Sequence, residues 1–167
     1  MTQRKCLLLW IVAALLAGCA TQQQRAEEKA RMQKAVTDAV ATRHWRVGIT
    51  SMNAMRYGSQ TVTPDFFLEL RGDTLRSYLP YLGQAHRAPM MSPEQGLNFE
   101  APLLKYQESK PKAHLSLIEI DVKTQEDLYR YRIEMYDTGS AYIHVQSQNR
   151  DAISFDGYFD EQSSDSQ

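Results

Sequence analysis

The side chains that could run a reaction are few and scattered. His44, His86, His114 and His144 show none of the short spacings by which histidines share a zinc ion or flank a catalytic glutamate. Ser77 and Ser92 lie in no Gly-x-Ser-x-Gly turn and have no base close by in sequence. The glycines do not gather into a phosphate-holding loop. Glu126-Asp127 and Asp160-Glu161 are carboxylate pairs, but they fall in an expected turn and an expected tail, where water solvates them. These residues predict no catalytic centre, no metal site and no cofactor. A hydrolase would need distant carboxylates, or a histidine and an acid, to meet in a cleft.

One cysteine does have chemistry written around it. Arg4 and Lys5 precede an apolar run from Leu7 to Leu15, and the segment ends Leu16-Ala17-Gly18-Cys19. A charged start, a short apolar core and small residues at the cut read as a secretory signal over 1–18, too short to span a membrane. Leu-Ala-Gly-Cys is similar to the bacterial lipobox, which makes Cys19 the lipidation site. Each buried CH₂ adds about 0.8 kcal/mol and stable anchoring takes more than one chain, so a multiply acylated Cys19 is the expected membrane anchor. Ala20 is no acidic retention signal, and Gln22 to Gln24 are unlike an acidic export tag. By resemblance to lipoprotein sorting this implies the outer membrane, facing the periplasm. Cys6 leaves with the signal, so the mature domain has neither thiol nor disulfide. Loss of Arg4 and Lys5 takes the basic residues from 19 to 17 against 20 acidic ones, and the net charge from −1 to −3. That balance argues against a nucleic-acid partner.

The positioning elements follow in order. Residues 19–24 are polar and read as a flexible tether. Residues 25–43 lack Gly and Pro and read as a helix, with Met32, Val36, Ala39 and Val40 on one thin stripe. From Trp45 the apolar period becomes two: Trp45, Val47 and Ile49, then Phe66, Leu68 and Leu70, then Tyr129, Tyr131, Ile133 and Met135, then Ala141, Ile143 and Val145. Strict alternation predicts antiparallel sheet with one buried face. Arg71-Gly72-Asp73, Asp137-Thr138-Gly139 and Asn149-Arg150-Asp151 supply the short turns. The apolar phase slips between Leu117 and Ile118, which predicts a bulge or a strand buried on both faces, and Pro102 predicts a bend or an edge. The expected fold is mainly β: one helix, then a single antiparallel meander over 44–159 curled into a barrel or half-barrel. A two-sheet sandwich is the alternative. The acidic tail 160–167 is expected to be disordered.

The least generic stretch is Ser77 to Pro89, continuing to Glu100. Pro80 ends or edges a strand, Gly83 permits a positive-φ turn, and Tyr78 and Tyr81 are too apolar for a free loop. An ordered loop closing one end of the β structure explains this much. A ligand mouth lined by Tyr78, Tyr81, His86, Arg87 and Asn98 is the functional reading. Tyr78 to Ala85, Gly96 to Phe99 and Asn149 to Phe155 also resemble blocks of the bacterial family called domain of unknown function 4251. Its members, chiefly from Bacteroidetes, resemble this chain from about Arg46 on and often carry lipoprotein signals. The resemblance implies no activity. The expected function is therefore a lipid-anchored, non-catalytic envelope module that binds a small hydrophobic or glycan-type ligand or a peptide. An interaction lipoprotein touching another envelope protein is the alternative, and an envelope hydrolase the third.

Overall fold

The computed structural model describes residues 2–83, 96–125 and 127–161, with side chains from residue 22 on. Helix α1 (Thr2–Thr42) is longer than expected and runs straight through 19–24. Those six residues hold no glycine or proline, and alanine and glutamine propagate a helix, so nothing there stops it. It stops at Arg43, whose φ of 55° is left-handed and whose amide donates back to the Val40 carbonyl at 3.1 Å. Among the described residues, no helix is long and apolar enough to cross a membrane.

Among the described residues nine strands follow: β1 (His44–Ala54), β2 (Gly58–Thr61), β3 (Phe67–Arg71), β4 (Thr74–Pro80), β5 (Gly96–Lys112), β6 (Leu115–Lys123), β7 (Leu128–Tyr136), β8 (Ser140–Ser147) and β9 (Ile153–Phe159). Every pair is antiparallel, neighbours in sequence pair throughout β3 to β9, and β1 also pairs with β9. That closes an eight-stranded barrel, not a sandwich. β2 is a side flap. β1 gives one edge to β9 over its length and splits the other, with 44–48 pairing β3 and 51–54 pairing β2.

The expected bend and bulge both lie in β5. Residues 96–102 pair with β4 and 103–112 with β6, the handover falling at Pro102, which has no amide hydrogen to offer a ladder. β5 carries one extra residue against β6 at two places, between Leu103 and Lys105 and between Ser109 and Lys112. β6 itself meets β7 in unbroken register.

Eight strands leave an interior just wide enough for side chains to fill, and here they fill it. Val47, Leu68, Leu70, Leu75, Leu79, Ile118, Ile120, Val122, Tyr131, Ile133, Ile143 and Phe155 are all fully buried. The outward positions carry charge instead, as in Glu119, Arg130, Arg132 and Glu134. That is the reverse of a wall that faces lipid.

The helix caps one end. Val36, Ala39 and Val40 join the core cluster, with Met32 and Ala35 at its margin. Arg43 accepts the Gly72 amide on its carbonyl at 2.9 Å, pairs with Asp73 at 2.9 Å, and lies 4.3 Å from the Tyr106 ring. The start of the expected free tail is tied down at the same end. The Asp160 amide donates to the Arg46 carbonyl at 2.8 Å, and Glu161 pairs with Arg31 at 3.3 Å. Residues 162–167 lie outside the described residues.

Candidate functional site

The end away from the helix is built by the β1–β2 turn, the start of the β4–β5 connection, and the β6–β7 and β8–β9 turns. Asp127 organises it. Its carboxylate accepts the amides of Leu128 at 2.8 Å and of Gln148 and Asn149 at 3.2 Å, together with the Ser147 hydroxyl. It is 7% exposed, so the solvated role expected for the Glu126-Asp127 pair is wrong for Asp127: it staples the β6–β7 turn to the β8–β9 turn. Glu126 lies outside the described residues.

Tyr81 lies at this rim. Its hydroxyl donates to the Asp151 carbonyl at 3.3 Å, and the Arg150 guanidinium is 5.2 Å from its ring. Burial, and then the nearby Asp151 charge, push its ionisation up from the ordinary tyrosine value. Arg56 reaches the Asp151 carboxylate at 3.5 Å. Gly83 is needed here for clearance rather than for a positive φ, since a Cβ on it would stand 2.5 Å from the Tyr81 hydroxyl.

Two other expected mouth residues point elsewhere. In β4, Leu75, Ser77 and Leu79 face inward, which turns Arg76 and Tyr78 out. Asn98, directly opposite Tyr78, shares the outer face. Tyr78 stacks there on Phe66 with centroids 5.4 Å apart and meets Phe67 at 5.8 Å. Tyr78 and Asn98 thus stand on the outer face, while Tyr81 packs at the margin of the core. His86 and Arg87 lie outside the described residues, as does Ser92.

The interior holds one polar chain. The Tyr131 hydroxyl donates to Ser77 Oγ at 3.2 Å, and Ser77 donates to the Leu97 carbonyl at 2.6 Å. Burial pushes the Tyr131 ionisation far up, and every member of the chain has a partner. On the outside, His144 Nδ1 and Ser154 Oγ are 2.9 Å apart across β8 and β9. Nothing in the residue spacing points to this pair, because its members are ten residues apart on different strands. It stands on a convex wall, and among the described residues no carboxylate hydrogen-bonds to the histidine to serve as the third member of a hydrolytic triad. Among the described residues, no three His, Cys, Asp or Glu side chains come together as a metal site needs.

The family description "Domain of unknown function (DUF4251)" matches residues 27–159. No curated protein matches the chain. A crystal structure of a DUF4251 family protein from Bacteroides eggerthii is similar in fold, with a TM-score of 0.60 and 11% identity over 78% of this chain and 87% of that one. That likeness concerns the barrel and its helix alone. With most of its length matched, the chain belongs to the DUF4251 family.

Proposed function

We propose that this protein is a lipid-anchored, non-catalytic binding module of the cell envelope, held through Cys19 in the outer membrane and facing the periplasm. Leu16 to Cys19 supply the processing and acylation motif. The observation that carries the binding half of the reading is the division of the barrel. One end is occupied by α1, the interior by its own side chains, and the contact surfaces left are the Tyr81 rim and the outer wall beside Tyr78. A filled interior gives no support to a carrier that swallows a small hydrophobic molecule, so the reading keeps a glycan-type or peptide ligand bound from outside. Growth with an alkyne-tagged fatty acid, followed by extraction and in-gel detection, tests the anchor. Label on the parent, with none on Cys19→Ala, supports it; equal label on both overturns it.

Met55 and Tyr57, 75% and 55% exposed at the β1–β2 turn, favour a second reading, an interaction lipoprotein that docks on another envelope protein. A photocrosslinker at position 57 that captures one recurring protein in living cells would favour that reading over the first.

A further inference from the structure

The register sets a row of side chains across the outer wall that no single strand reveals. Tyr158 of β9 stands opposite Gly48 of β1, Gly48 opposite Phe67 of β3, Phe67 opposite Tyr78 of β4, and Tyr78 opposite Asn98 of β5. Tyr158 is 61% exposed and Tyr78 42%. Gly48 leaves a gap between Tyr158 and Phe67, since a Cβ there would meet nothing nearer than the Tyr158 carbonyl at 4.0 Å. At about 4.8 Å per strand, Tyr158 and Tyr78 are roughly 14 Å apart along the wall. The row ends on an anomaly: Asn98 Oδ1 is buried and has no hydrogen-bond partner. An acceptor left like this costs stability unless something donates to it.

We propose that this row, Tyr158-Gly48-Phe67-Tyr78-Asn98, is the contact surface for an uncharged oligosaccharide chain. The inference rests on the binding-module reading and gives it a site and a ligand class. Aromatic faces carry negative charge density and attract the polarised C–H face of a sugar ring; the Arg46 guanidinium lies 3.9 Å over the Phe67 ring, so the faces offered to a sugar are those of the exposed Tyr158 and Tyr78. A turn of the Asn98 amide, whose residue is only half-buried, brings Oδ1 to the surface to take a hydroxyl or acetamido N–H donor. The flanking row decides the charge of the ligand. Arg46 pairs with Asp160, Arg71 and Arg76 with Glu69, and Arg76 also with Glu100, so three cations meet three anions. A balanced rim of this kind offers nothing extra to phosphate or to an acidic polymer. A peptide strand finds no entry either, because β1, β3 and β4 are paired on both edges along this row. A polyproline segment could lie on the aromatic rings but has no N–H for Asn98.

Calorimetric titration of the full chain, in a detergent without a sugar headgroup, tests this with chitotetraose, the uncharged tetramer of β-1,4-linked N-acetylglucosamine, against a proline-rich peptide. Saturable binding of the sugar is expected, weakened about tenfold or more by Tyr78→Ala and separately by Tyr158→Ala, as an exposed anchor residue would be. Leu104→Ala, on another part of the wall, is expected to leave it unchanged. Both tyrosines are exposed, and matched melting temperatures confirm that the variants fold. No sugar binding, equal weakening by Leu104→Ala, or binding of the peptide instead overturns the proposal. If the sugar fails but a co-purifying molecule is released by Tyr81→Ala, the binding module stands and only the saccharide site falls. If neither binds, both fall.

Discussion

Two glycines lie one register step apart at the closing seam of the barrel, Gly48 opposite Tyr158 and Gly157 opposite Ile49, and they should respond oppositely to one added methyl. A Cβ on Gly157 would fall against the Gly48 carbonyl oxygen, far inside contact distance, and 2.9 Å from Val47 Cγ1. The first obstacle is backbone in the β1–β9 ladder, so relief requires β9 to move away from β1, the pairing that closes the sheet. Overpacking generally costs about 1–3 kcal/mol, and a fixed backbone obstacle belongs at the upper end. Reduced freedom of the unfolded chain offsets about 0.4–1 kcal/mol of this, leaving about 2 kcal/mol against Gly157→Ala. For a domain of this size that is a fall in melting temperature of roughly 8 °C. Gly48→Ala has open space and no positive φ, and should stay within about 2 °C of the parent or gain slightly. Thermal unfolding followed by circular dichroism reads both. Gly157→Ala melting with the parent, or Gly48→Ala proving the more damaging, would refute the seam geometry.

Three further outcomes follow from the packing. Asp127→Ala strands three backbone amides and a hydroxyl at the rim, and should cost about 2–4 kcal/mol in denaturant unfolding, where Asp127→Asn costs less. Val36→Asp puts a charge into a site that is 2% exposed, so hydrogen exchange along residues 32–42 should accelerate while β6 to β8 stay protected; uniform protection would contradict the capping role of the helix. Burial raises Tyr106 to about 12, with Glu108 adding to it, and raises Tyr131 further. Their folded values lie above the unfolded value near 10, so the neutral forms favour folding and stability falls as pH rises through that value. Absorbance titration should then show those two tyrosines lagging the exposed ones, and Tyr106→Phe should remove one lagging group.

Much of the barrel could be read from the chain because its inner and outer faces demand opposite chemistry, and Tyr129 to Met135 or Ala141 to Val145 display that alternation openly. The helical stripe from Met32 to Val40 is legible for the same reason. β2 was not, since all four of its residues are exposed and carry no period. β5 is a single strand of 17 residues that local rules would divide at Pro102 and Pro111; the handover from β4 to β6 passes the first and a bulge between Ser109 and Lys112 the second. The orientation of Tyr78 is legible by parity, since Leu75, Ser77 and Leu79 share a face and Tyr78 falls on the other; its nearness in sequence to Tyr81 is no guide to a shared site. The outer row and the Asp127 staple were beyond reach, because both depend on register. The shift in the β1–β9 ladder between Ile49 and Ser51 decides that register, and a single chain does not announce it.

The most direct test of the account is native mass spectrometry of the protein extracted from its own membranes, in parent and Tyr78→Ala forms. The account predicts a chain that begins at Cys19 and carries covalent acyl mass, with a separable non-covalent mass that Tyr78→Ala loses while remaining folded. A chain that retains residues 1–18 with an unmodified Cys19, and flies with no bound mass, would contradict both the anchor and the binding module.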